Sequence, residues 1–274
     1  MVKDYFEVLD RLEAALEHKL SRPVVPSAVE IDSKNFKISA NTEQADNTAH
    51  NEGPVKYAFD KNPNTIWHSS YNPMFTVSAD NPAEITIDMG KSYTINQFSY
   101  LQRPAGGNNG KVQKYNLYVK SNQADKWKKI VTDGTFADKQ ELQKVTFDEV
   151  EAQYVKFEVT QGFGNFATAA ELAVYQKASD FSKLQEAMDE AEKLDRTKYL
   201  EVYYSNIDQL CEEAEELLKD FMTEQAKIDA LTEQLQKALD ALEALAAKSD
   251  IKLLEEAVEA ARNIDLDQYK TQRI

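Results

Sequence analysis

The first place in this sequence where residue type and spacing suggest chemistry is a set of oxygen-bearing side chains. Asp60, Asn62 and Thr65 fall within six residues of a turn-prone DKNPNT stretch, and Glu171 opens a later β-rich run, ELAVY. Calcium takes six to eight hard oxygens at about 2.3–2.6 Å, and a tight loop supplies backbone carbonyls where side chains do not reach. The pattern predicts a calcium cage; the alternative is that Asp60 and Glu171 simply hydrogen-bond the loop. Other chemistries find less support. One cysteine, Cys211, rules out an intrachain disulfide framework, and three histidines argue against a multi-histidine zinc site. There is no GxSxG elbow, HExxH, P-loop or Rossmann glycine pattern. None of the 47 acids is singled out as one of a facing glycosidase pair. The expectation is a chain that is not itself an enzyme.

The elements that must carry these residues divide at about Lys177. All seven prolines and all eight glycines precede residue 178, and the net charge of −15 is concentrated beyond it. That acidity argues against a nucleic-acid partner held by phosphate neutralisation, and no apolar run approaches the ~18 residues of a membrane span. Residues 1–27 read as an N-terminal helix, with Phe6, Leu9, Leu12, Leu16 and Leu20 on one side, followed by a Pro-containing linker. Beyond 177, SDFSKLQEAMDEAEKLDRTKY (179–199) aligns without gaps with SDIKLLEEAVEAARNIDLDQY (249–269), eight of 21 positions being identical. Leu184, Ala187, Met188, Ala191 and Leu194 form one helical stripe, which Ser179 or Asp180 can cap. Two further stripes run from Ile207 to Phe221 and from Ile228 to Leu245. A three-helix bundle over 178–247 buries all three, with Cys211 as an inert buried thiol. Residues 248–274 are the first helix of a second, truncated repeat.

Residues 28–177 carry short β-rich runs: FKISA, EITIDMG, INQFSY, KYNLYVKS, WKKIV, QKVTF, QYVKFEV and ELAVY, separated by Gly, Pro, Asn and Asp. QYVKFEV alternates Tyr154, Lys156 and Glu158 against Val155, Phe157 and Val159, the period of a half-buried strand. The prediction is an all-β jelly-roll sandwich, with Trp67 and Trp127 in its core.

YAFDKNPNTIWHS (57–69), EITIDMGKSYTINQFSYLQRPAGGNNGKVQKYNLYVKSN (84–122), AQYVKFEVT (152–160) and FATAAELAVY (166–175) resemble, in order, the F5/8 type C or discoidin domain. They are most similar to the bacterial family 32 carbohydrate-binding modules; the terminal disulfide usual in vertebrate members is impossible here. The resemblance implies a structural calcium held by the carbonyls of Tyr57, Asn62 and Ala170, the side chains of Asp60 and Glu171, and both oxygens of Thr65. Lys61 stands where the family usually has glycine. It also implies a sugar site of His68, Arg103, Asn109 and Phe166, with Glu52 as an acceptor from an early loop. Asn108 is the alternative to Asn109, Phe163 the alternative to Phe166, and Tyr71 an additional wall. Each has a plainer role open to it: a loop hydrogen bond for His68, a salt bridge for Arg103, a turn for Asn109-Gly110, the core for either phenylalanine.

The ligand so implied is a terminal galactose or N-acetylgalactosamine. The tail similarly resembles the FIVAR module of extracellular bacterial proteins. Together these imply a non-catalytic, extracellular glycan-binding fragment with helical spacers, joined to a catalytic domain such as a glycoside hydrolase. The alternatives are a discoidin-type protein or membrane binder using Met74 and Phe75, and a structural stalk.

Overall fold

The computed structural model describes residues 22–104, 107–196, 199, 201–247, 258, 259 and 262. Most of the expected N-terminal helix and of the second repeat lies outside these residues, as does the side chain of Leu245. The chain forms two compact units, one of them Pro26–Ala178, the other including residues 22–25 and the helices from Ser179 onward.

The first unit is a sandwich of ten strands: β1 (Ala28–Glu30), β2 (Lys37–Ala40), β3 (Glu52–Gly53), β4 (Ile66–His68), β5 (Ala83–Leu101), β6 (Val112–Lys120), β7 (Lys128–Gly134), β8 (Gln143–Gly162), β9 (Thr168–Ala169) and β10 (Glu171–Lys177). The large sheet runs β1-β10-β5-β8-β6-β7, with β2 also on β5; the small one is β3-β4-β9. This is the expected jelly-roll layout. The runs EITIDMG and INQFSY are one strand, β5, which continues through Gly90 at φ 81° with a register shift between Asp88 and Tyr93. Likewise QKVTF and QYVKFEV are joined in β8, because the polar stretch between them stays paired: Val150 with Ile95, Ala152 with Tyr93. Long bent strands of this kind let one strand serve two ends of a sandwich.

Ile85, Ile87, Phe98, Tyr100, Leu117 and Phe157 fill the core together with Trp67, whose Nε1 donates to the Thr42 carbonyl at 3.1 Å. Trp127 does not join them. It is half-buried just ahead of β7, the edge strand of the large sheet, and packs beneath the ammonium groups of Lys120 and Lys156. It lies with those two lysines at the edge of the sheet, apart from the buried cluster, so the core assignment is corrected.

In the second unit, α1 (Ser182–Glu192), α2 (Glu201–Leu217) and α3 (Gln225–Ala247) bury their stripes in one cluster that includes Leu184, Met188, Ile207, Ala214, Leu235 and Leu242. Neither Ser179 nor Asp180 is the N-cap of α1: Phe181 takes that position without a side-chain cap bond, and Asp180, one residue earlier, accepts the Ser182 N–H at 2.9 Å. Burial pushes the Cys211 thiol up to about 11, consistent with an inert side chain. Among the described residues no helix is long and apolar enough to cross a membrane.

Candidate functional site

His68 ends β4, where the short small sheet holds it from both sides. Its backbone neighbour across β9 is Thr168, and its carbonyl accepts the Gln44 N–H at 2.8 Å. The ring is almost wholly buried, with Nδ1 2.6 Å from the Ser69 carbonyl. A carbonyl only accepts, so Nδ1 carries the proton and the lone pair of the neutral ring is on Nε2. Burial drives the His68 pKa below its ordinary value, and the nearby Arg103 charge adds to this, so the site favours the neutral ring.

Two aromatic rings flank it. Phe166 lies 5.4 Å from the imidazole with a 58° tilt, and Tyr71 meets it edge-on at 5.2 Å. The Tyr71 hydroxyl donates to Glu52 Oε1 at 2.7 Å and accepts from Asn47 Nδ2 at 3.1 Å. Glu52 is nearly buried on β3, paired in parallel with β4. Phe163, the competing aromatic, is 47% exposed, and among the described residues it is Phe166 whose ring meets His68.

Arg103 approaches from the loop after β5. Its Nη1 donates to the Asn109 carbonyl at 2.8 Å, while its Nε is buried without a partner. Gly107 lies against the guanidinium so closely that a Cβ there would be 2.7 Å from Nη2. Asn109 is exposed, its Oδ1 next to Gly164, whose φ is 68°. Asn108 is also exposed, and its carbonyl accepts the Lys111 N–H. Thus the structure brings His68, Glu52, Tyr71 and Phe166 together, with Arg103 close enough to perturb the imidazole and Asn109 bound to Arg103. No salt bridge claims Arg103 among the described residues. Sequence reasoning missed Gln44, whose Oε1 accepts the Tyr71 and Asn72 N–H groups at 3.0 and 3.3 Å. Nor did it flag Thr168, whose hydroxyl is buried and unpaired beside β4. Unpaired buried polar atoms call for an explanation, and a polar ligand is one.

The acidic loop forms a second constellation. Asp60 Oδ1 accepts the Asn62 N–H at 2.9 Å, and the Thr65 hydroxyl lies 2.7 Å from Oδ2 and 2.9 Å from the Asn62 carbonyl. Lys61 occupies the left-handed region at φ 62°, the conformation that favours glycine, and pairs with Glu30. Tyr57 lies in the short 3-10 helix Val55–Phe59 leading into Asp60, and Ala170 directly precedes β10. The loop-bonding alternative describes Asp60, whereas at Glu171 only the Asn62 N–H of the loop comes near, outside hydrogen-bond geometry. Both Glu171 oxygens are enclosed without a partner, and burial, with the Asp60 charge, pushes this carboxyl up to about 7. Two facing carboxylates with loop carbonyl and hydroxyl oxygens fit a hard cation.

Of the apolar pair considered for membrane or protein docking, Met74 is 69% exposed, whereas Phe75 packs against the core.

Residues 37–172 match the F5/8 type C domain. A blood-group A N-acetyl-α-D-galactosamine deacetylase of Flavonifractor plautii is 36% identical over 125 residues, 45% of this chain and 15% of that protein. A galactose oxidase of Gibberella zeae is 26% identical over 169 residues, 61% of this chain and 24% of that one. The chain thus spans less than a quarter of either relative. Among solved structures, a family 32 module of Clostridium perfringens in complex with GalNAc-β-1,3-galactose is 38% identical, covering 53% of this chain and 99% of that one with a TM-score of 0.47. Through residues 37–172, the chain belongs to the F5/8 type C domain family.

Proposed function

We propose that the β-sandwich is a non-catalytic carbohydrate-binding module for terminal galactose or N-acetylgalactosamine. The observation that carries this reading is a neutral His68 with its Nε2 lone pair unspent, between the rings of Phe166 and Tyr71 and beside Arg103. A pyranose offers an apolar face and a rim of hydroxyls. Phe166 covers the face; Nε2 accepts from the axial 4-hydroxyl; the Arg103 fork donates to two neighbouring oxygens; Asn109 and Glu52 complete the rim. Two of the relatives are named for galacto-configured sugars, which supports this choice. A few net hydrogen bonds of ~1 kcal/mol each must exceed the cost of ordering the ligand, so a Kd on the order of 0.1–1 mM is expected. A glycan array with wild type and His68→Ala tests the reading: galactose-terminated hits lost in the variant support it, and no signal at any glycan density defeats it.

Because Nε2 must accept, protonation of His68 ends its role. Its folded pKa lies below the ordinary histidine value, so affinity stays level from pH 8 through neutrality and falls on further acidification. The fold prefers the neutral ring, so the same protonation also costs stability below pH 6.5. Titration calorimetry across this range checks the first point. Affinity that rises on acidification contradicts it.

Asp60, Glu171, Thr65 and the carbonyls of Tyr57, Asn62 and Ala170 hold calcium in this proposal. Bound there, the ion supplies positive charge between Asp60 and Glu171 and cross-links the loop to β10. Without a cation, the raised Glu171 pKa means stability is lost as pH climbs from about 4.5 through 7. Calcium at 100 times its Kd contributes about 2.7 kcal/mol, or roughly 5–10 °C in the melting temperature of a unit this size. The gain is largest above pH 7. A chelator-treated sample whose melting temperature ignores calcium at pH 8 removes the ion from the account.

The helical unit acts as a FIVAR-type spacer, and the whole serves an extracellular protein with a separate catalytic domain. Tethering then raises the local concentration of a weakly bound glycan.

A further inference from the structure

The outward face of β6, β7 and β8 carries a continuous net of aromatic rings and ammonium groups. Leu117, Val119, Val155 and Phe157 point into the core, so the alternate residues Tyr118, Lys120, Tyr154 and Lys156 point away from it. Lys129 is opposite Tyr118, Tyr118 is opposite Lys156, and Lys120 is opposite Tyr154. Lys129 Nζ lies 5.1 Å and Lys156 Nζ 4.6 Å from the Tyr118 ring centre. Lys156 and Lys120 both stand over Trp127, at 5.6 and 4.9 Å, and Lys120 also over Tyr154 at 4.9 Å. Lys126 and Lys128 flank Trp127 in the sequence and are exposed.

Most of the carboxylates nearby are engaged, and Asp133 acts on Lys129 only through its charge, without an ion pair. Glu158 accepts from Asn116 and Tyr118, Glu84 and Glu158 pair with Lys156, and Asp125 binds the backbone and side chain of Asn122. Lys120, Lys126, Lys128 and Lys129 have no ion pair among the described residues, in a chain whose net charge is −15. Surface lysines ordinarily lose much side-chain freedom when they grip a ligand. Here the rings already hold three ammonium groups in place, and Lys120 spends one of its three donors on the Gln123 carbonyl. Pre-ordered cations with donors to spare are suited to oxyanions.

We propose that this face is a second glycan-binding surface, taking polysaccharides whose rings bear sulfate or carboxylate groups, independently of the site around His68. The lysines take the anionic substituents while the rings beneath hold the ammonium groups in position. Polysaccharide is favoured over nucleic acid because its charges are spaced more widely than the one per ~1.7 Å of duplex DNA. A dense polyanion would meet the repulsion of this acidic chain; at physiological salt a local patch acts within about 8 Å.

Retention of the full chain on beads of sparsely sulfated dextran, with fewer sulfates than glucose units, tests the proposal, with neutral dextran, oligo(dT) and polyglutamate beads alongside. Dextran contains no galacto-configured sugar, so failure here is distinguishable from failure of the His68 site. Retention on dextran sulfate alone is expected, weakened about tenfold or more by Lys120→Gln with Lys129→Gln, restored by arginine at both positions, and unchanged by Arg103→Ala. Trp127→Ala also weakens it. No retention at low salt, retention indifferent to the double substitution, or equal retention by oligo(dT) or polyglutamate each overturns it.

Discussion

Arg103→Ala abolishes measurable binding of terminal galactosides while leaving the sandwich folded. The guanidinium is planar and offers five donors in a fixed fork, suited to two adjacent sugar oxygens. Two charge-assisted hydrogen bonds of about 1.5 kcal/mol or more each come to roughly 3 kcal/mol, or about 150-fold in Kd. A starting Kd of ~0.1–1 mM then moves to tens of millimolar or beyond. Stability changes little, because among the described residues the one hydrogen bond that its guanidinium makes goes to the Asn109 carbonyl. The loop is held separately, through the Gly110 N–H on the Phe163 carbonyl and the Thr168 N–H on the Gly110 carbonyl, both at 2.8 Å. Arg103→Lys does not rescue binding, since a point charge cannot reproduce the fork. Gly107→Ala gives a partial loss without touching a ligand group, by pushing a methyl into the guanidinium. Titration calorimetry alongside thermal melts separates these outcomes. Unchanged affinity in Arg103→Ala would remove Arg103 from the site.

Much of the architecture was legible because apolar periodicity is a local signal. The strand runs from Lys37 to Tyr175 and the helical stripes after Ser179 follow from spacing alone. What was not legible depended on pairing across long sequence distances. β5 and β8 continue through polar stretches that look like loops, because each is held by a partner more than fifty residues away. Trp127 reads as core by residue type; its exposure follows from lying at the sheet edge, which sequence order does not reveal. At the site, the family resemblance pointed to the aromatic and the donors, but not to which nitrogen of His68 is spent. That depends on the Ser69 carbonyl 2.6 Å away. The choice of Phe166 over Phe163 depends on the turn at Gly164, and Gln44 contributes through a backbone contact that no spacing pattern announces.

Gly162→Ala should damage both fold and site, and by packing alone. Gly162 has φ −137°, which any residue adopts, so backbone strain does not enter. A Cβ at this position would lie 1.8 Å from the Phe166 carbonyl oxygen, an impossible contact that backbone must relieve. The segment that has to move is tied down: Val77 donates to the Asn165 carbonyl, Ser69 donates to the Ala167 carbonyl, and Ala167 donates to the Ser69 hydroxyl. Overpacking of this type costs about 2–3 kcal/mol, or roughly 5–10 °C in melting temperature. The displaced strand carries the Phe166 ring away from His68, so galactoside affinity falls as well, even at temperatures where the variant is folded. Gly90→Ala supplies the contrast. Its φ of 81° makes a side chain costly there, by about 1–2 kcal/mol, yet a Cβ would meet nothing closer than the Asn35 carbonyl at 4.0 Å. That variant loses stability and keeps its affinity. If Gly162→Ala melts like wild type, or binds galactosides as tightly while folded, the coupling between the end of β8 and the Phe166 platform is absent.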